Sequence, residues 1–259
     1  MADLAYRESG EDKAGEPPLL LMHGLFGSSE NLGGIARELA KELHLYSIDL
    51  PNHGRSPHST VCSLSSMAES VTAWMDKRSL DKVSILGHSL GGKVAMEIAL
   101  RCPDRVNRLC VLDIAPVKYQ ARHDQVFAGL LAIDLDSTEN RAQAEAILAE
   151  FVKEPPVRSF LLKNLVKVEG KLQWRMNLLA LREGYVSLID QNARGRFDGE
   201  VCFIKGGDSD YITEAHRQDI TERFPKAKLK IIPETGHWLH AEKPLLVAKA
   251  VLREFKSEA

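Results

Sequence analysis

Six short runs of the chain are apolar at consecutive positions: PLLLMHG (18–24), HLYSIDL (44–50), KVSILGH (82–88), RLCVLDI (108–114), EVCFIKGG (200–207) and KLKIIPE (228–234). A strand written this way is buried on both faces, which is the habit of a parallel sheet with helices on either side. Stretches with helical spacing lie between the runs: LGGIARELAKEL (32–43), SLSSMAESVTAWMDKR (63–78), LGGKVAMEIALRC (90–102), EAHRQDITERF (214–224) and PLLVAKAVLREF (244–255). This alternation predicts a doubly wound α/β fold, with LAYRE (4–8) as an edge strand. The alternation stops over 116–194, which reads as helix throughout and is too long for a crossover. We expect an inserted helical cap there, with 1–115 and 195–259 forming the core.

Charge narrows the partners. The net charge of −2 invites neither nucleic acid nor an anionic membrane. No apolar run approaches the ~20 residues of a membrane helix, so no membrane anchor is expected. The polar, acidic start MADLAYRESGEDKAGE has no signal-peptide pattern. Cys62, Cys102, Cys110 and Cys202 form no CxxC pair and are expected as reduced thiols of a cytoplasmic protein.

The chemistry is written in the turns. GHSLGG (87–92) sits between an apolar strand and a helix and fits G-x-S-x-G. A serine on so tight a turn needs nearly side-chain-free residues two before and two after it. Ser89 then projects its hydroxyl at a helix N-terminus, where free N–H groups favour developing negative charge. A serine needs a base, and ETGHWLHAEKP (234–244) supplies His237 on a loop after the last apolar run, with His240 as its competitor at the start of the final helix. There a capping or exposed residue is more usual. The tetrahedral oxyanion needs donors. The backbone N–H of Leu90 is one, and that of Leu25, in the loop after strand 18–24, is the other. His23, Asp49, His53 and Ser56 read as braces of their turns.

HGLFGS (23–28), D-x-x-NHGxS (49–56), GHSLGG (87–92) and GHWxHAEKP (236–244) occur in the order found in the α/β-hydrolase family, and the chain resembles its small bacterial YbfF-type esterases. LDIAP (112–116), ARHDQVFAGL (121–130), FLLKNL (160–165) and QWRMN (173–177) look like that subgroup too, so the resemblance covers nearly the whole chain. It implies a mostly parallel eight-stranded sheet, less one strand if the short N-terminus lacks it, a helical cap and a Ser-acid-His triad. Most of the family place the acid after the strand at 200–205. In KGGDSDYI (205–212) that slot falls on Ser209, flanked by Asp208 and Asp210. The subgroup instead uses the aspartate of its LDIAP segment, which here is Asp113. Asp208 and Asp210 stay as alternative acids.

The expected function is hydrolysis of small-molecule carboxylic esters or thioesters, acyl-CoA included, through an acyl-enzyme. No metal or cofactor is implied: the histidines and cysteines lack ligand spacing, and no phosphate-binding glycine loop occurs. A haloalkane dehalogenase would need aspartate at position 89. A perhydrolase on the same triad, or a protein that only binds a small molecule in the cap, remains as an alternative. Neither the oligomeric state nor the natural substrate is legible.

Overall fold

A computed structural model of the chain describes residues 3–13 and 15–255. In chain order its strands are β1 (Tyr6–Ser9), β2 (Leu19–Met22), β3 (Leu45–Ile48), β4 (Val83–His88), β5 (Val106–Leu112), β6 (Leu165–Val168), β7 (Lys171–Trp174), β8 (Glu200–Gly206) and β9 (Ala227–Ile232). The helices are α1 (Gly33–Leu39), α2 (Leu64–Asp76), α3 (Leu90–Arg101), α4 (Asp124–Ala132), α5 (Arg141–Phe151), α6 (Pro155–Leu161), α7 (Leu178–Leu188), α8 (Arg217–Arg223), α9 (Leu239–Glu242) and α10 (Pro244–Phe255). Among the described residues the main sheet has seven strands in the order β1-β3-β2-β4-β5-β8-β9. Only β1 is antiparallel.

The consecutive apolar residues serve two cores. Leu20, Met22, Ile85, Leu109, Val111, Val201 and Phe203 face one side, against α2 and α3. Leu19, Leu21, Leu86, Cys110, Leu112, Cys202 and Ile204 face the other, against α1 and α10. Cys62, Cys110 and Cys202 are buried free thiols, and Cys102 is half-buried. No helix among the described residues is long and apolar enough to cross a membrane.

Strand order locates the site. The chain runs from β2 outward to β3 and then returns to β4 on the other side of β2. The loops leaving the carboxyl ends of β2 and β4 therefore diverge, and the crevice between them is where open α/β sheets bind ligands.

The segment between β5 and β8 carries α4, α5, α6 and α7, but it is not helical throughout. β6 and β7 form an antiparallel hairpin, with Leu165 opposite Trp174 and Val168 opposite Lys171. Its two-residue turn is Glu169-Gly170, both with positive φ (49° and 84°), the backbone of a type I′ turn. Phe127 of α4 is fully buried between Phe26 and Tyr185, with ring centroids 5.0 and 5.2 Å away, and ties this segment to the loop after β2.

Buried histidines brace that loop and its neighbours. His23 Nδ1–H donates to the Gly24 carbonyl (2.8 Å), and its Nε2 accepts the Leu50 N–H (3.0 Å). His53 Nδ1–H donates to the Pro51 carbonyl (2.9 Å). Asp49 accepts the N–H groups of Ser29 (2.6 Å) and Arg55 (2.9 Å), and the Ser56 hydroxyl donates to the Asp49 carbonyl. His23, Asp49, His53 and Ser56 thus hold their turns.

Burial disfavours the charged imidazole. It pushes His53 down to about 3 and His123 and His240 down to about 4, with His23 lowered and His88 lowered well below the usual value. The unfolded chain takes up these protons first, near pH 6.5. Their contribution to stability is therefore complete above that pH and is lost as pH falls toward 4. Urea unfolding should show a free energy that falls by about 1.4 kcal/mol per pH unit for each such histidine between about pH 6 and 5. A level free energy down to pH 5 would contradict neutral burial.

Candidate active site

The turn at Ser89 is as tight as its glycines suggest. Ser89 has φ 52° and ψ −116°, a region that side chains rarely enter and that persists only where the surroundings enforce it. They do so here. A Cβ on Gly87 would lie 2.2 Å from the Gly91 carbonyl oxygen, and one on Gly91 would lie 2.2 Å from that of Met22. Strand β4, helix α3 and strand β2 thus meet backbone to backbone. The Ser89 N–H still bonds across the sheet to Leu112 (3.0 Å), while the side chain has left the sheet plane.

One residue further along β5, Asp113 leaves the sheet in a similar way, with φ 52° and its N–H on the Ile204 carbonyl (2.9 Å). Its carboxylate is fully buried. Oδ1 accepts the Gly206 N–H (3.0 Å), and Oδ2 accepts the Ser209 hydroxyl and lies 2.8 Å from His237 Nδ1. His237 Nε2 lies 3.0 Å from Ser89 Oγ. Since a carboxylate can only accept, Nδ1 carries the hydrogen and Nε2 faces the hydroxyl as an acceptor. Asp208 and Asp210 are exposed. Asp210 pairs with Arg122 through both oxygens (3.0 and 2.9 Å), and no hydrogen bond joins Asp208 to His237. The conventional acid slot, Ser209, is a hydroxyl that donates to Asp113.

Sequence reasoning missed several neighbours of the imidazole. Tyr211 stacks on the His237 ring at 3.8 Å and 17°. It is held from behind by Tyr119, whose hydroxyl accepts the Ala115 N–H (2.8 Å) and donates to the Tyr211 carbonyl (2.6 Å). His88 Nε2–H donates to the His237 carbonyl (2.9 Å). His240, expected to cap or be exposed, is buried, with its ring 4.2 Å from that of His88. The aromatic at 211 was visible in the sequence, but its stacking partner lies 26 residues away in the chain and no spacing signals it.

Leu25 and Leu90 flank the serine. Among the described residues neither backbone N–H donates to a protein acceptor. That of Leu90 is free because it opens the twelve-residue helix α3. The loop carrying Leu25 is fixed by Gly27 N–H on the Gly24 carbonyl (3.0 Å) and by the Asn164 amide on that of Phe26 (2.7 Å).

Two cavities meet at Ser89. One, of about 40 Å³, runs past Leu90, Ile114, Tyr119, Tyr185, Leu188 and Ile189 to Lys93. The other, of about 420 Å³, runs past His237, Trp238, Val126, Val157, Phe160 and Gly24. Leu25, Ser89 and His123 line both. No group of three or more His, Cys, Asp or Glu side chains among the described residues is placed to hold a metal ion.

The arrangement has known counterparts. The sequence matches the α/β-hydrolase fold family over residues 17–244. It is 37% identical to Esterase YbfF of Escherichia coli, with 95% of this chain and 96% of that one aligned. It is 35% identical to an sn-1-specific diacylglycerol lipase of Mus musculus, over 88% of this chain and 77% of that one. A solved structure of a marine microorganism esterase superposes with a TM-score of 0.93 at 37% identity, covering 97% of this chain and 99% of that one. A match spanning nearly every strand and helix around the Ser89 turn leaves one conclusion: the chain belongs to the α/β-hydrolase family.

Proposed function

We propose that the chain is a serine hydrolase that cleaves carboxylic esters or thioesters through an acyl-enzyme, with 1–115 and 195–259 as its catalytic core and 116–194 as the cap over the site. The observation that carries this reading is the line of contacts Ser89 Oγ, His237 Nε2, His237 Nδ1, Asp113 Oδ2, at 3.0 and 2.8 Å on either side of the imidazole. Named activities of the relatives, an esterase and a lipase, agree with it.

In this reading Ser89 Oγ attacks the carbonyl carbon while His237 Nε2 takes its proton. Asp113 stabilises the resulting imidazolium without itself being protonated. The oxyanion sits between the N–H groups of Leu25 and Leu90. Collapse expels the alcohol or thiol, which receives the proton from Nε2. Water then repeats the sequence on the acyl-enzyme and frees the acid. Tyr211 keeps the imidazole from turning away, and the Ser209 hydroxyl donates to Asp113 and holds its carboxylate in place beside the ring.

A fluorophosphonate probe should label Ser89 alone. Ser89→Ala should abolish labelling and lower kcat by on the order of 10⁶. Labelling that survives in Ser89→Ala would remove the nucleophile assignment. A protein that binds a small molecule tightly yet turns over no ester would instead be a receptor on the same fold.

Asp113→Asn tests the acid. Every donor around Asp113 needs an acceptor, so one NH₂ in its place must face either Gly206 N–H or the Ser209–His237 side. In the second case His237 is driven to the tautomer that cannot accept the serine proton. A loss of about 10⁴ in kcat is expected for Asp113→Asn. Asp208→Asn and Asp210→Asn should each lose less than about tenfold, because neither exposed group reaches the imidazole. A folded, fully active Asp113→Asn beside an inactive Asp208→Asn would move the acid to the conventional slot.

A further inference from the structure

The two cavities at Ser89 divide the substrate. This step rests on the acyl-enzyme reading above and adds which half of the ester each cavity takes. The leaving oxygen must lie within reach of His237 Nε2 to collect its proton. His237 lines the 420 Å³ cavity and not the 40 Å³ one. Leu90, the oxyanion donor of that reading, lines the small cavity and not the large one. With Ser89 between them, the alcohol leaves on the large side and the acyl chain points into the small one.

Size and charge then set the acyl class. At about 40 Å³ against about 420 Å³ the small cavity is much the tighter of the two. Buried Leu188 and Lys93 are among its lining residues. The Lys93 ammonium is already spent, donating to the carbonyls of Val117 (2.7 Å) and Asp190 (2.5 Å). Arg122 at the rim is matched by Asp210 (3.0 and 2.9 Å). Among the described residues lining the small cavity, neither Lys93 nor Arg122 is left unengaged for a carboxylated acyl group, and burying such a group without a partner is costly. The large cavity is walled by Phe160 and Trp238, whose rings lie 5.5 Å apart, with Val126 and Val157, and suits a bulky apolar group. We propose that the chain selects esters of short, uncharged acids with large apolar alcohols, the reverse of a long-chain acyl hydrolase, and that Leu188 sets the acyl limit.

The test uses the full chain and two substrate series. Among p-nitrophenyl esters, kcat/KM should fall by about tenfold or more from butyrate to octanoate, the scale on which pockets discriminate by methylenes. Among acetates, 1-naphthyl acetate should exceed ethyl acetate after correction for leaving-group pKa. Leu188→Ala should raise the octanoate-to-acetate ratio by about tenfold. Ile189→Ala, on the same wall but half-buried, repeats the test should Leu188→Ala not fold. Val157→Trp should depress 1-naphthyl acetate against ethyl acetate and leave the acyl order intact. Rates that rise through octanoate, or a folded Leu188→Ala with an unchanged ratio, overturn the assignment of halves while leaving the hydrolase reading in place. Turnover of no ester in either series, with Ser89 unlabelled by fluorophosphonate, overturns the hydrolase reading itself.

Discussion

A fully buried carboxylate is the most demanding group in the fold. Taking Asp113 out of water is tolerable only because three donors close on it, the Gly206 N–H, the Ser209 hydroxyl and the His237 ring. Those donors come from the end of β8, the loop after it, and the loop after β9. Satisfying one charge therefore fixes three segments relative to β5, and β5 is hydrogen-bonded to the strand that carries Ser89. An imidazole placed by that charge has one position left for its second nitrogen, over the serine. Removing the carboxylate would loosen the geometry as well as the electrostatics, because it ties the loops after β8 and β9 to the end of β5.

The sheet was legible because burial on both faces leaves its mark on every residue of a strand. Leu19–Met22 is apolar at each position since odd and even side chains feed different cores. The seven strands observed agree with the seven runs to within about two residues at the ends, where a frayed hydrogen bond and not a side chain decides the boundary. The hairpin β6–β7 escaped for the opposite reason. Its strands are four residues each and lie among helices, so the period-two signal in LVKVEGKLQW is short. Its turn depends on Glu169 accepting a positive φ, a position where Asn or Asp would have announced a turn.

The site divides along the same line. Ser89 and its glycines were readable since the demand is local: a Cβ at Gly87 or Gly91 has nowhere to go. His237 was readable from its place after the last strand. Asp113 against Asp208 was not a local question, because which carboxylate reaches the imidazole depends on how β5 and β8 lie side by side. Resemblance to a subgroup favoured Asp113, whose Oδ2 lies 2.8 Å from His237 Nδ1. Tyr211 on His237, and His240 beneath His88, are contacts between loops whose separation no spacing encodes. The burial of His240 follows from a short helix, α9, that precedes α10 and turns the residue inward.

Segment 116–194 and the Ser89 turn are anchored by one helix. Lys93, one turn after Ser89 on α3, donates to carbonyls on both sides of the insertion, Val117 at its entry and Asp190 near its exit. Asn192 answers from the exit, donating to the Lys93 carbonyl (2.8 Å) and to Glu97 (3.0 Å), which also takes the Ala193 N–H (3.0 Å). Burial holds the Lys93 amine down at about 7, since its direct acceptors are neutral oxygens and not a carboxylate. The entry and exit of segment 116–194 are thus registered against the helix that begins at Leu90. A shift of that segment would pull at α3 from both ends of its connection. Segment 116–194 and the turn at Ser89 are therefore joined through α3 by a polar clamp, while the loops that carry His237 and Leu25 are braced separately by buried histidines.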